Sequence, residues 1–186
     1  CFDFSVWEMY GALLNGGTLV IPSAEQVRNT ESFVALVAQQ QVTVLNQTPA
    51  AFYQFIKAAL KVSPASLAAL RLVVFGGDAL AASRLAPWIA VFPLERVKLV
   101  KMYGITETTV HVSYKEVVAA DVHDTAALNL VGRPLPETSV WIVDRHGALQ
   151  PPGIAGEIVV GGSGVCLGYL NREELNARKF APLATG

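Results

Sequence analysis

Apolar positions change their period several times along this chain, and each change predicts an element. Phe33, Leu36 and Val37 fall at helical spacing within residues 31–40, and Phe52, Phe55, Ile56 and Ala59 share one face of residues 50–61. Short apolar runs at 18–21, 42–45, 72–75 and 97–100 read as buried strands, with Asn46 ending the second. Residues 80–91 read as a further helix, set off from the preceding strand by Gly76-Gly77. Beyond them, 110–118, 140–143 and 158–160 look like β structure between Pro and Gly turns. Alternating strands and helices predict an α/β fold, a parallel sheet with crossover helices, followed by a more β-rich portion. The change falls near residue 120, which divides the chain into 1–120 and 121–186, with 121–130 as the linking loop.

Composition narrows the class. A chain of 186 residues with 52% apolar content can bury a sizeable core. Its formal net charge of −1 and lack of a long Lys/Arg run exclude a phosphate-backbone footprint and a membrane-surface patch. The two cysteines, Cys1 and Cys166, form neither a metal spacing nor a disulfide framework. The apolar runs are too short and interrupted to span a bilayer. A small-molecule partner, no nucleic acid, no membrane and a cytoplasmic setting are expected. The chain opens on Cys1 rather than Met, and an internal fragment is expected.

Chemistry concentrates after predicted strands, at Asn46, Gly76 to Asp78 and Met102 to Glu107, where ligands gather in open parallel sheets. The richest string is Tyr103-Gly104-Ile105-Thr106-Glu107-Thr108-Thr109. Gly104 permits a turn or a close approach to a ligand, Tyr103 offers a flat face to a purine, Thr106 can donate to a phosphate oxygen, and Glu107 can hold Mg²⁺. By itself the string could equally be a strand end followed by a helix-start cap.

Two further strings lift that ambiguity: Asp3-Phe4-Ser5-Val6-Trp7-Glu8 upstream, and Gly156-Glu157-Ile158-Val159-Val160-Gly161-Gly162 with Gly164 and Gly168-Tyr169-Leu170 downstream. In order and spacing, the three resemble core motifs of the adenylation domains of nonribosomal peptide synthetases, within the adenylate-forming superfamily. Gly11 to Gly17, Gly76-Gly77-Asp78-Ala79-Leu80 and Val131-Gly132-Arg133-Pro134-Leu135-Pro136 agree, so the resemblance runs the length of the chain.

The resemblance implies specific roles. Asp3 matches the aspartate that binds the α-amino group of an amino acid, a carboxylate being the natural partner of an ammonium; as a helix N-cap it would instead precede a helix over 5–14. The pocket lining falls on Asp3, Phe4, Trp7, Asn46, Val74, Gly76, Met102, Val110 and His111, a set resembling the threonine-activating pattern. Phe4 and Trp7 would narrow the pocket, Gly76 would leave room, Val110 and Met102 would face a methyl group, and Asn46 and His111 would supply polarity. Phe4, Trp7 and Met102 also suit core packing. For ATP, Tyr103 would lie against adenine, the loop of Gly76, Gly77, Asp78 and Ala79 along its other side, Gly104 in the turn, Thr106 at the α-phosphate and Glu107 on Mg²⁺. The family's asparagine at Tyr103 minus two is Lys101 here, which has no acceptor for the adenine amino group. Ile105 and Leu167 replace a frequent Pro and Arg.

Gly161-Gly162-Ser163-Gly164 is not a P-loop, since no Lys-Ser/Thr follows; its family counterpart is a structural strand and turn. The implied reaction converts an amino acid and ATP to aminoacyl-AMP, then loads it onto the phosphopantetheine thiol of a peptidyl carrier protein. The upstream phosphate loop, the downstream ribose motif and the C-terminal subdomain with its lysine are missing, so the isolated chain is expected to be inactive. An acyl- or aryl-acid ligase of the same superfamily and a non-catalytic nucleotide-binding module are the alternatives. A nicotinamide enzyme is disfavoured because Gly76-Gly77 lacks the Gly-x-Gly-x-x-Gly pattern.

Overall fold

The computed structural model describes residues 3–124 and 130–180. They divide into two compact, interleaved units: one of Cys1–Tyr103 with Tyr114–Arg133, the other of Gly104–Ser113 with Pro134–Gly186. The sequence places a single cut near 120. The chain instead groups Gly104–Ser113 with the later unit, because its backbone bonds run there: Leu135 N–H donates to the Val112 carbonyl at 2.8 Å and Cys166 N–H to the Glu107 carbonyl at 2.9 Å.

In the first unit, helices α1 (Phe4–Leu13), α2 (Ala24–Arg28) and α3 (Thr30–Gln39) precede strand β1 (Val44–Gln47), and α4 (Pro49–Ala59) leads through a 3₁₀ turn (Pro64–Leu67) to β2 (Leu72–Phe75). A 3₁₀ turn (Ala82–Leu85), α5 (Ala86–Ile89) and β3 (Lys98–Tyr103) follow, then β4 (Ser113–Glu116), α6 (Ala119–His123) and β5 (Arg133–Pro134). The starts are written in the sequence. Ser23 and Gln26 form a reciprocal capping box on α2, Asn29 caps Ser32 N–H at 3.0 Å, and Thr48 stands before Pro49 at the first turn of α4.

The sheet runs β1-β2-β3-β4-β5, its first three strands parallel as expected. Registers Leu45↔Val73 and Val73↔Leu99 put these residues on one face, and Phe75 follows two positions after Val73. All four belong to the core with Phe52, Phe55, Trp88 and Phe92. Phe52 meets Phe75 and Trp88 edge-on, with ring centroids 5.1 Å apart in each pair, and Trp88 stacks on Phe92 at 4.1 Å. The apolar face of α4 supplies this cluster as its periodicity predicts.

The second unit carries an antiparallel pair, β6 (Thr138–Val143) with β7 (Glu157–Gly162), and helix α7 (Glu173–Lys179).

Several expectations are corrected. Residues 18–21 form no strand: they have no sheet neighbour, and Ile21 is 79% exposed. The helix expected over 80–91 is broken into the 3₁₀ turn and α5, which restarts at Ala86 with Pro87, a residue suited only to a first helical turn, in that turn. Asn46 does not end β1 but lies within it, paired with Val74. Strand β4 begins only at Ser113, because Thr109 and Val110 turn with positive φ. Of the linking loop, Asp121–His123 are helical, and 125–129 lie outside the described residues.

Candidate functional site

In the first unit the candidate pocket residues sort by strand period. Register partners Asn46 and Val74, with Met102 two positions beyond Val74's partner Val100 in β3, occupy the sheet face opposite Leu45, Val73, Phe75 and Leu99, and Gly76 follows directly after the end of β2. Val74 and Met102 are 2% and 7% exposed, yet neither belongs to the main core cluster. Their burial serves that second face. From α1, Trp7 Nε1 donates to Asn46 Oδ1 at 3.0 Å, holding the amide in one orientation, and Phe4 is buried. Asp3 precedes α1 with φ −68° and ψ −16° and makes no side-chain cap bond. The simple capping role is therefore not the one it takes.

The loop after β2 is fixed at two points that its sequence does not announce. Lys101 points its side chain to the loop and its Nζ donates to the Asp78 carbonyl, while Asp78 Oδ1 accepts from Ala79 N–H at 2.7 Å. Burial pulls the Lys101 ammonium below its ordinary value, the Asp78 charge acting against this. Lys101 is 3% exposed, so a residue whose sequence position shows only that it lacks an acceptor is a buried tie on the loop. Tyr53 makes the second tie: its hydroxyl accepts from Ala81 N–H at 2.9 Å and donates to the Ala81 carbonyl at 3.2 Å, with Arg84 stacked 3.9 Å over the ring. Gly77 lies in that loop with φ +82°; Gly76 is buried, Asp78 and Ala79 are exposed, and Tyr103 closes β3 half-buried.

The second unit holds the rest of the string. Thr106–Thr108 form a 3₁₀ turn. A Cβ on Gly104 would meet the Val110 carbonyl oxygen at 2.3 Å, so glycine is required there by close approach. Thr109 and Val110 follow with φ +56° and +70°, and for a β-branched residue that is a strained backbone of a kind retained at ligand sites. Thr109 Oγ1 anchors the bend on the Gly164 carbonyl at 2.7 Å. Val110 and His111 are half-buried, Thr106 is exposed, and Glu107 is half-buried with Tyr169 Oη donating to its Oε1.

Among the described residues no three His, Cys, Asp or Glu side chains gather to hold a metal by themselves. Mg²⁺ is commonly held by one or two carboxylates together with substrate phosphates, and a single anchored carboxylate on a turn fits that donor set.

The sequence profile of the AMP-binding enzymes matches residues 1–170. The chain belongs to the AMP-binding enzyme family. It is 47% identical over 180 residues to a plipastatin synthase of Bacillus subtilis, covering 97% of this chain and 7% of that protein. It is likewise 47% identical to the dimodular nonribosomal peptide synthase of the same organism, covering 96% of this chain and 8% of that one. The solved nonribosomal peptide synthetase FmoA3 superposes with a TM-score of 0.88 at 30% identity, over 98% of this chain and 19% of FmoA3; FmoA3 is also known with α-methyl-L-serine-AMP and with AMPPNP bound. The chain thus spans under a tenth of the two Bacillus relatives.

As a segment of the AMP-binding fold, it groups Trp7, Asn46, Val74, Gly76 and Met102 on one face of the first unit, and Gly104, Thr106, Glu107, Val110 and His111 on one turn of the second. Sequence reasoning missed Lys101 and Tyr53 as loop ties and Tyr169 as the partner of Glu107. Only Tyr169 carried a signal, since it stands in a motif string.

Proposed function

We propose that this chain is the substrate-recognising segment of an amino-acid adenylating enzyme, and that L-threonine is the amino acid. The observation that carries the reading is the second sheet face, where Trp7 clamps Asn46 beside Val74, Gly76 and Met102. It combines a fixed amide with an apolar wall, suited to a small side chain bearing a hydroxyl and a methyl group. A site that hydrogen-bonds a hydroxyl rejects analogues lacking it far more strongly than an apolar pocket can. Family membership supports the chemistry, and the FmoA3 complex with an α-methylated serine adenylate supports a hydroxylated substrate.

In this reading Asp3 binds the substrate ammonium, leaving the carboxylate to react. A carboxylate oxygen attacks the α-phosphorus of ATP, the bond from that phosphorus to the bridging oxygen breaks, and pyrophosphate leaves with the electron pair. Tyr103 and the Gly76 to Ala79 loop hold the adenine, Thr106 donates to the α-phosphate, and Glu107 holds Mg²⁺, with Val110 and His111 completing the pocket wall. When bound, Mg²⁺ supplies neutralising charge to the phosphates. The phosphopantetheine thiol of a peptidyl carrier protein then takes the aminoacyl group and releases AMP.

The test is ATP/pyrophosphate exchange by a complete adenylation domain in which this chain replaces the matching segment of the dimodular synthase, offered threonine, serine, 2-aminobutyrate, valine and a fatty acid. Threonine-led exchange that Asp3→Ala abolishes is the expected result. Exchange led by another amino acid overturns the pocket assignment alone, and exchange with only the fatty acid overturns amino-acid activation.

A further inference from the structure

The glycine-rich segment after β7 reads in sequence as structural only, yet it grips the turn bearing Glu107 at four places. Cys166 N–H donates to the Glu107 carbonyl at 2.9 Å, and the Gly164 carbonyl accepts from Thr109 Oγ1 at 2.7 Å. A Cβ on Gly164 would come within 3.3 Å of the Thr108 carbonyl oxygen, so the two backbones lie close. The fourth contact is between side chains, from the Tyr169 hydroxyl to Glu107 Oε1.

Tyr169 is itself braced. Asn176, on α7, accepts from Tyr169 N–H at 2.7 Å and donates to the Tyr169 carbonyl at 2.9 Å, which satisfies both backbone groups of one residue with one amide. The ring meets Phe180 edge-on at 5.4 Å. Its hydroxyl therefore approaches Glu107 from a ring and a backbone that are each fixed elsewhere.

We propose that Tyr169 is a positioning residue for Glu107: its hydroxyl selects the side-chain orientation in which the carboxylate meets the divalent cation, with Asn176 holding Tyr169 in place. This rests on the reading of Glu107 as the Mg²⁺ ligand. A ligating carboxylate that is hydrogen-bonded by a neighbour loses less freedom on binding metal, and outer partners of this kind typically matter 10- to 100-fold.

The experiment uses the complete domain described above and Mn²⁺ in place of Mg²⁺, with binding followed by electron paramagnetic resonance in the presence of a non-hydrolysable ATP analogue. Tyr169→Phe removes one oxygen and keeps the ring on Phe180. It is expected to weaken Mn²⁺ binding about tenfold, to lower kcat for exchange, and to leave the threonine KM and the unfolding midpoint unchanged. Mn²⁺ binding within about twofold of the parent, or tighter than it, overturns the proposal. Glu107→Gln separates the two levels. If it weakens Mn²⁺ while Tyr169→Phe does not, the positioning role alone falls; if Glu107→Gln leaves Mn²⁺ unmoved, the metal reading falls and takes the positioning role with it.

Discussion

The two compact units are held together by different physics. The first has a continuous apolar cluster in which Phe52, Phe55, Phe75, Trp88 and Phe92 are each 0% exposed. Among its described residues the second contributes no member to that cluster, and its hairpin leaves Ile142 and Ile158 at 36% and 39% exposure. Its order comes from bonds that tie turns to one another: Thr109 to Gly164, Cys166 to Glu107, Tyr169 to Glu107, Asn176 to Tyr169. A two-stranded hairpin alone is marginal in water, so such ties decide whether the segment is ordered. The pocket candidates Asn46, Val74 and Met102 stand on the well-cored sheet, whereas Thr106 and Glu107 stand on a hydrogen-bonded turn.

The largest effect that would break this contrast is in the core. Trp88→Ala removes the ring that Phe52 and Phe92 pack against and should cost about 3–5 kcal/mol in chemical denaturation. Ile142→Ala, on the exposed hairpin, should cost under about 1 kcal/mol. Equal losses would mean that the second unit has an apolar core after all. Trp88 Nε1 also lacks a hydrogen-bond partner among the described residues, so the aromatic cluster retains a buried N–H for the sake of its packing.

A smaller change in stability with a large functional consequence is expected at the turn. Gly104→Ala places a methyl group against the Val110 carbonyl and should displace the strained bend before the first unit notices. Exchange should fall by at least about tenfold, as a shift of about 1 Å near reacting groups does, while the main unfolding transition stays close to the parent's. A parental exchange rate would show that the bend does not position the reacting groups.

What the sequence made legible follows the same division. Strand β2 and helices α3 and α4 lie within two residues of their expected bounds, because period and capping act locally there: Phe52 and Phe55 mark the face, Thr48 and Pro49 the start. The Asn46, Val74, Gly76 and Met102 face was also accessible, through motif order. The apolar run at 18–21 misled because strand formation needs a neighbour that no local pattern supplies. The role of Lys101 stayed hidden for a related reason: its position shows only that it has no acceptor for an adenine amino group, while its bond to the Asp78 carbonyl spans 23 residues. Tyr169 and Glu107 are 62 residues apart, a pairing that no period encodes.

The smallest expected effect compares one carboxylate in each unit. Burial pushes Asp121 up, but Lys115, whose Nζ lies 2.6 Å from Oδ2, and the Val118 N–H together overcome it and hold the carboxyl below its ordinary value of 3.8. Asp144 is held below the same ordinary value by the Ala148 N–H at 2.9 Å and the His146 N–H at 2.8 Å. Both folded values are depressed, so the stability each contributes is present above 3.8 and is lost as pH falls from there through the folded value. The consequences should differ. When Asp121 is protonated, α6 keeps its apolar anchor in Val122, 7% exposed, and about 1.5 kcal/mol of charged hydrogen bonding is at stake. When Asp144 is protonated, the 144–148 turn has its two side-chain bonds weakened and is left with its backbone bonds, Asp144 N–H to the Ala148 carbonyl and Gly147 N–H to the Asp144 carbonyl, and with no buried side chain of its own to fall back on. Hydrogen exchange compared at about pH 5 and about pH 3, corrected for intrinsic rates, should therefore show 144–148 opening more than 118–122. Opening of 118–122 first would mean that the first unit, too, depends locally on its polar ties, and the contrast between the units would hold only for the aromatic cluster.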